Sequence, residues 1–396
     1  MADKNNNKIL NVPPLRFPEF TEEWGKTTLG KIAEITKGNG ISKEQLSEIG
    51  FPCILYGELY TRYKSEIINE VYSKTELNSP SMVKSKVNDV IIPCSGETAI
   101  DISTARCVPF DNVLLGGDLN IIRLKYDDGG FFAYQLNASR KRDIARVAQG
   151  VSVVHLYGEN LKKIIVYHPS IVEQKKITHL LSIIDKRFAL QTKIIEDLKK
   201  LKSAIIEKLF TRGGDAVLIR DLITQVSKRN NTDYNLPVLS VNNRLGFIRQ
   251  SEQFEDRTVA SDDTSNYKVV STDDFAFNPA RINVGSIARL KSETDGIVSP
   301  MYICFHTNDR VLPEYFEYFF ETKYFYSEMQ KRLEGSVRLC LSWEGLCNIS
   351  ISLPNIEQQI EIGKEISTIA TKIDLEERYL QNIKLQKQYL LQQMFI

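Results

Sequence analysis

"PSIVEQKKI" occupies residues 169–177 and "PNIEQQIEI" occupies residues 354–362, so the two stretches begin 354 − 169 = 185 residues apart. Each sets a proline just outside a helix start and follows it with a capping pair, Ser170 with Glu173 and Asn355 with Gln358, suited to satisfying orphan amide donors. No glycine or proline interrupts Ile171 to Phe210, after which Gly213 and Gly214 supply a stop; Ile356 to Phe395 contains only Gly363. Each stretch therefore opens a helix of about 60 Å at 1.5 Å per residue. One globular core does not need a helix of that length.

The heptads sharpen this expectation. In the first helix the a positions are Ile177, Ile184, Gln191, Leu198 and Ile205, and the d positions are Leu181, Phe188, Ile195, Lys202 and Leu209. In the second they are Ile362, Ile369, Glu376, Ile383 and Leu390, with Ile366, Ile373, Leu380, Lys387 and Met394. Both seams break at equivalent places, Gln191 with Glu376 and Lys202 with Lys387, which predicts that the helices pair with each other, antiparallel, about a pseudo-twofold axis. Replacing both lysines by leucine is then expected to keep or raise stability while permitting register errors. The competing expectation is a helical hairpin arm or a homodimeric coiled coil. Off the seam, Leu180, Ile183, Leu190, Ile194, Leu201, Ile206 and Phe210 form a second apolar stripe, expected to meet the flanking domains or partner helices.

The 185-residue shift aligns much more than the helix starts. "VNDVIIP" (87–93) falls on "TDDFAFN" (272–278), strand-like runs launched from Asp89 and Asp274. "FFAYQLNASRKRDIARVAQG" (131–150) falls on "FEYFFETKYFYSEMQKRLEG" (316–335), each a helix-like segment closed by glycine, Gly150 or Gly335. The fold class read from this pattern is α+β: two similar domains at 1–170 and 213–355, alternating with long spacer helices at 171–212 and 356–396.

Composition bounds the function classes. The chain has 396 residues, 42% hydrophobic and 26% charged, enough for two to four cores, and no run approaches the roughly 20 apolar residues of a membrane span. Its polar start shows no signal-peptide core, so the cytoplasm is expected. Six cysteines show no CxxC pairing and four histidines show no metal spacing, so neither metal nor cofactor is expected. The formal charge of +1 argues against gripping nucleic acid through bulk electrostatics alone. Local charge is uneven. Residues 171–212 carry ten basic against five acidic side chains, whereas 213–355 carry 15 basic and 19 acidic, a net of −4.

Together "LRFPEF" (15–20), "WGKTTLGKIAEITKG" (24–38), "FPCILYGELYTRY" (51–63), "GGDLNIIRL" (116–124), "NYKVVSTDDFAFNPARINVGSI" (266–287), "EGSVRLCLSWEGL" (334–346) and the two Pro-xx-EQ-like helix starts carry a resemblance. The chain resembles the specificity (S) subunit of type I restriction and modification systems over nearly its whole length. The resemblance implies two target-recognition domains, each reading one half of a bipartite double-stranded DNA target. It also implies helices that space them and dock two methyltransferase (modification) subunits, with restriction (translocase and nuclease) subunits recruited through those. Two departures stand out: "IVEQ" has one residue more than "IEQ", and Ile54 stands where arginine is common.

No catalytic motif accompanies this pattern. "NVPPL" and "FNPAR" lack the order or spacing of an amino-methyltransferase motif, and "GKT" at 25–27 lacks the earlier glycine of a phosphate-cradling loop, Phe20 standing there. "GNG" at 38–40 lacks a third glycine at the right offset, and no nucleophile elbow occurs. The expectation is a non-catalytic subunit, with a coiled-coil scaffold or a degenerate methyltransferase as the alternatives.

Residue types suited to base edges, in segments that differ between the halves beside constant anchors, mark the candidate DNA contacts. In the first domain these are Tyr56, Gly57, Glu58, Tyr60, Arg62, Tyr63 and Lys64, then Ser95, Glu97 and Thr98, then Ser152 and His155. In the second they are Asn242, Asn243 and Arg244, then Asn278, Arg281, Asn283 and Ser286, then Ser336, Arg338 and Ser342. The competing reading makes these polar loops ordinary solvated turns, with Tyr56 and Tyr60 in the core.

Overall fold

The structure, a computed structural model, describes residues 11–77, 79–211, 213–230, 236–243, 245–253, 264–336 and 338–396. The chain forms two compact units, residues 1–192 with 378–396, and residues 193–377. The long helices run Ile171–Leu209 and Ile356–Gln393, 39 and 38 residues. Each contributes one half to either unit.

Within each unit the helical segments pair antiparallel. In the first, Lys387 meets Asp185 while Arg187 donates to the Tyr379 hydroxyl; in the second, Lys199 meets Glu377 while Ile206 shares a core with Ile362 and Ile366. Every a and d position is buried or half-buried, as a shared seam requires. The apolar stripe off the seam divides. Ile206 and Phe210 enter the second unit's core, Phe210 stacking on Tyr315 at 4.7 Å, and Leu180 packs on the first unit's core. Ile183, Leu190, Ile194 and Leu201 stay exposed.

The two units share one plan. The first holds an antiparallel sheet in the order Ala33–Lys37, Leu119–Leu124, Asp89–Pro93, Arg106–Val108, and the second the order Ile223–Val226, Ile303–Thr307, Phe275–Phe277, Ile287–Arg289. Beside it stands a mixed sheet, in which Phe51–Ile54 runs parallel to Leu114–Leu115, and Val238–Asn242 parallel to Gly296–Val298. Local chemistry repeats at the 185-residue interval. Asp89 accepts the Lys86 amide at 2.8 Å and Asp274 the Ser271 amide at 2.8 Å. Gly150 and Gly335 hold φ of 120° and 118°, and a Cβ on either would strike the carbonyl of Val153 (2.1 Å) or Arg338 (2.2 Å).

Each glycine-closed helical segment is two helices rather than one, Gly129–Asn137 with Lys141–Val147 and Pro313–Phe319 with Lys323–Gln330. In the first unit the break follows Asn137, whose amide binds both the N–H and the carbonyl of Ala105 (2.8 and 2.9 Å). In the second, the Thr322 hydroxyl caps the following helix by accepting the Phe325 amide at 3.1 Å.

The paired helix starts differ in one respect. Asn355 and Gln358 form the reciprocal box, Gln358 N–H to Asn355 at 2.9 Å and Asn355 N–H to Gln358 at 3.3 Å. Ser170 caps Glu173 only loosely at 3.4 Å, and the Glu173 carboxylate turns instead to Arg16 (2.7 and 2.8 Å) and the Trp24 indole N–H (3.3 Å). A buried cation within reach outcompetes a neutral amide for a carboxylate. The next residue is common to both. Gln174 accepts the Asp128 amide at 2.8 Å and donates to Asp127 (2.7 Å) and the Pro169 carbonyl (3.0 Å). Gln359 accepts the Leu312 amide at 2.8 Å and donates to the Arg310 (3.0 Å) and Pro354 (2.9 Å) carbonyls. Gln174 thus matches Gln359, the last residue of "IEQQ", and the first start carries no extra residue.

The expectation that leucine could replace both seam lysines is corrected for one of them. Lys387 Nζ lies between the buried carboxylates of Glu66 (2.6 Å) and Asp185 (2.5 Å), with the Tyr134 hydroxyl donating to Asp185 at 2.8 Å. Burial and then the Glu66 carboxylate push the Asp185 pKa up. Burial pulls the Lys387 pKa down, but Glu66 and Asp185 outweigh it and the net shift is upward. A leucine there would strand two carboxylates.

Candidate nucleic-acid interface

In the first unit the strand Phe51–Ile54 delivers the chain into Tyr56 and the short helix Glu58–Thr61, which form one wall of a groove of about 900 Å³. Gly40 to Leu46, Gly117 and Asp118 line it as well. Tyr56, Glu58 and Tyr60 are half-buried there and Arg62 is exposed, its guanidinium 4.6 Å from the centre of the Tyr72 ring. Burial, then Tyr56, Glu97 and Asp101, push the Tyr60 pKa up, which keeps its hydroxyl a hydrogen-bond donor. Glu58 is engaged internally, accepting from the Leu55 amide (2.9 Å), Ser73 (2.7 Å) and Arg62 (3.2 Å).

Two neighbouring segments join this wall. Ser95–Gly96 pairs with Val154–His155, setting Ser95 opposite His155, and the His155 ring stacks on Tyr157 at 6.2 Å. Ser152 lies exposed on the hairpin turn behind Gly150, and Glu97 is exposed. Thr98 is a helix cap, accepting the Asp101 amide at 3.1 Å. Lys64 is exposed, its ammonium on the Thr61 carbonyl at 2.8 Å. Tyr63 is a correction: only 4% exposed, it packs in a core with Ile54, Leu59 and Ile68, and the half-exposed Tyr72 stacks on it. Ser95 is buried as well.

In the second unit Asn278, Arg281, Asn283, Ser286 and Arg338 line one groove of about 720 Å³. Asn242 and Asn243 share an adjoining one of about 480 Å³ with Arg281, Asn283 and Ser286. Arg281, Arg338, Asn243 and Ser336 are exposed, and Asn242 and Asn283 half-buried. Exposed guanidinium and amide groups together suit the acceptor and donor edges of purines. Asn278 and Ser286 are buried and serve the turn: Asn278 accepts the Ala280 amide at 3.1 Å, and Ser286 donates to the Val241 carbonyl at 3.2 Å. Ser342 caps the helix Trp343–Cys347 through the Gly345 amide at 3.1 Å. Arg244 lies outside the described residues.

The sequence reading did not include Lys43, Gln45 and Thr61 of the first groove, nor Gln250, Ser299, Met301 and Tyr302 of the second. Only the parallel pairing of Phe51–Ile54 with Leu114–Leu115, a contact between distant segments, brings residues 40–46 and 117–118 to the same groove. Among the described residues no helix is long and apolar enough to cross a membrane.

Comparison with known proteins adds the following. Residues 21–200 match the type I restriction modification DNA specificity domain. A Mycoplasma pneumoniae protein described as a type I specificity subunit is 27% identical over 194 residues, 48% of this chain and 47% of its own length. The chain thus spans about half the length of the curated relative it matches. The crystal structure of a type I restriction-modification S subunit from M. genitalium superposes with a TM-score of 0.63 at 17% identity, covering 97% of this chain and 99% of that one. A chain from a structural study of complex assembly and conformational transition in the type I system superposes with a TM-score of 0.55 at 15% identity, covering 96% and 98%.

Proposed function

We infer that the chain, whose residues 21–200 match the type I restriction modification DNA specificity domain, is a subunit of that family that supplies the address for a restriction-modification complex and leaves catalysis to its partners. Residues 1–170 and 213–355 act as the recognition heads, each reading one block of a bipartite double-stranded DNA target. The helices at 171–212 and 356–396 set the spacing of the blocks and dock two methyltransferase subunits, which bring the translocase and nuclease subunits with them. The cytoplasm, where that DNA lies, is the place of action.

One observation carries this reading. Both units repeat the same frame, down to Asp89 with Asp274 and Gly150 with Gly335, but line their grooves with different residues. A constant frame with variable grooves is what reading two different sequences requires. The exposed positions on the long helices support docking: Leu190 and Leu375, 185 residues apart, are 61% and 54% exposed, and Ile194 and Tyr379, also 185 apart, are 37% and 42% exposed. Identical partners need matching contacts, and exposed apolar surface at repeated positions provides them.

The test is to assemble the chain with its methyltransferase partner and map methylation across a genome. Two fixed blocks with a constant gap are expected; a motif lacking that form would sink the reading. Exchanging residues 213–355 for another such head should change one block only, and altering helix length should change the gap while both blocks persist. Absence of S-adenosylmethionine binding by the purified chain is expected, and binding would revive the degenerate methyltransferase.

A further inference from the structure

The chain has 21 glycines, and 21 − 3 = 18 of them answer to the fold, through a left-handed φ or a neighbouring atom closer than 3.4 Å to where a Cβ would sit. The others are Gly363 in the second long helix, whose would-be Cβ makes an ordinary contact with the Glu314 carboxylate at 3.4 Å, and Gly40 and Gly57. A Cβ on Gly40 would meet nothing within 4 Å, and one on Gly57 would meet only the Tyr60 hydroxyl at 3.8 Å. Neither has a positive φ; Gly57 sits at φ −65°, ψ −23°, helical values at which alanine is the favoured residue. Local physics therefore gives no reason for glycine at either position.

Both face one place. Gly40 and Gly57 both line the 900 Å³ groove of the first unit, together with Gly117, whose would-be Cβ lies 3.2 Å from the Gly40 Cα. The lining around them carries the exposed Lys43 and Arg62 and the hydroxyls of Ser42, Thr61 and Tyr60, beside the exposed carboxylates of Glu44 and Asp118 and that of Glu58, which is taken up by Arg62, Ser73 and the Leu55 amide. Glycine where the fold does not demand it permits something else to approach the backbone closely, and cations with hydroxyl donors suit a sugar–phosphate strand. We propose that Gly40 and Gly57 are positioning residues of the first recognition head, left without side chains so that one strand of the DNA target lies against the protein backbone across this groove. The proposal deepens the DNA-reading function and rests on it. No glycine lines either groove of the second unit, so the effect belongs to one block of the target alone.

The experiment uses the full chain assembled with its methyltransferase partner and a pool of random-sequence duplexes, from which the preferred bipartite duplex is selected. Gly40→Leu should melt with the wild type and Gly57→Ala at the same temperature or above. Gly40→Leu and Gly57→Leu should each bind the selected duplex about tenfold more weakly or worse, the scale of one lost specific contact. Base preferences in the block that survives exchange of residues 213–355 should relax, and those of the other block should not. Folded leucine variants that bind as tightly as wild type overturn the proposal. A wild-type complex that selects no bipartite duplex overturns the function itself, a distinguishable result. If the leucine variants melt early, Gly40→Cys decides: a duplex with a mixed disulfide tethered to a phosphate of the first block should exchange with its thiolate, releasing the small thiol, and should not do so with wild type, and no cross-link overturns the assignment.

Discussion

Lys387 and Lys202 hold the same heptad position in the two repeats and meet opposite surroundings. Lys387 is sandwiched between Glu66 and Asp185, its side chain 17% exposed and the carboxylates 10% and 8%. Lys202 is 19% exposed, but its partner Glu321 is 43% exposed and holds it at 2.7 Å in reach of water. The difference arises outside the helices. Position 185 plus 185 is 370, an alanine, so the second repeat has no counterpart of Asp185. A repeat fixes where a side chain starts, and the domain packed against it decides whether its charge is buried.

The largest expected effect tests this directly. Lys387→Leu leaves the buried Asp185 and Glu66 without their cation and should destabilise the first unit by about 3–5 kcal/mol, seen as an earlier denaturant transition. Adding Asp185→Leu and Glu66→Leu should recover most of the loss. If Lys387→Leu alone is neutral, the lysine between buried carboxylates is not what separates the units. A similar asymmetry sits at the helix starts. Glu173→Gln removes the carboxylate that holds Arg16 in a bidentate pair, with a cost of about 3 kcal/mol, the scale of breaking a buried pair. Gln358→Glu at the matching position keeps the Asn355 cap, and its melting curve should overlay the wild type.

Next in size are the residues that the units share. Truncating Gln174 or Gln359 to alanine leaves a half-buried amide, Asp128 or Leu312, without its acceptor, and each should cost about 1 kcal/mol. Near-equal losses would establish that these glutamines do the same job in both halves. A neutral result at one only would mean that the repeat is broken there.

These pairs also show how far the sequence was legible. The helix lengths, the antiparallel seam and the frame residues at 185-residue spacing follow from local chemistry, since capping, heptads and left-handed glycines act over a few residues. The fate of Glu173 did not follow, because its partner Arg16 is 157 residues away. The grooves were half legible. Tyr56, Tyr60, Arg281 and Arg338 fall where loops diverge beside constant strands, but Tyr63 shares their segment and lies in the core, and Ser342 and Thr98 prove to be helix caps. Residue type marks a loop that can read DNA, and packing decides which of its side chains face outward.

The smallest expected effect is the most discriminating. Lys202→Leu removes an ion pair that water already screens and adds an apolar group at a half-buried d position, next to a ring, Tyr318, that its ammonium approaches at 5.5 Å. The lost pair is worth about 0–1 kcal/mol and the gained packing is of the same size, so stability should change little in either direction. A loss as large as that of Lys387→Leu would mean that Lys202 fixes the register of the helices rather than merely tolerating its place in the seam. Cross-linking cysteines placed at Lys199 and Glu377, which lie as an ion pair across the two helices, reads that register in the variant. Unchanged stability with an unchanged cross-link would leave Lys202 with neither role, and its recurrence at position 387 would then reflect the repeat alone.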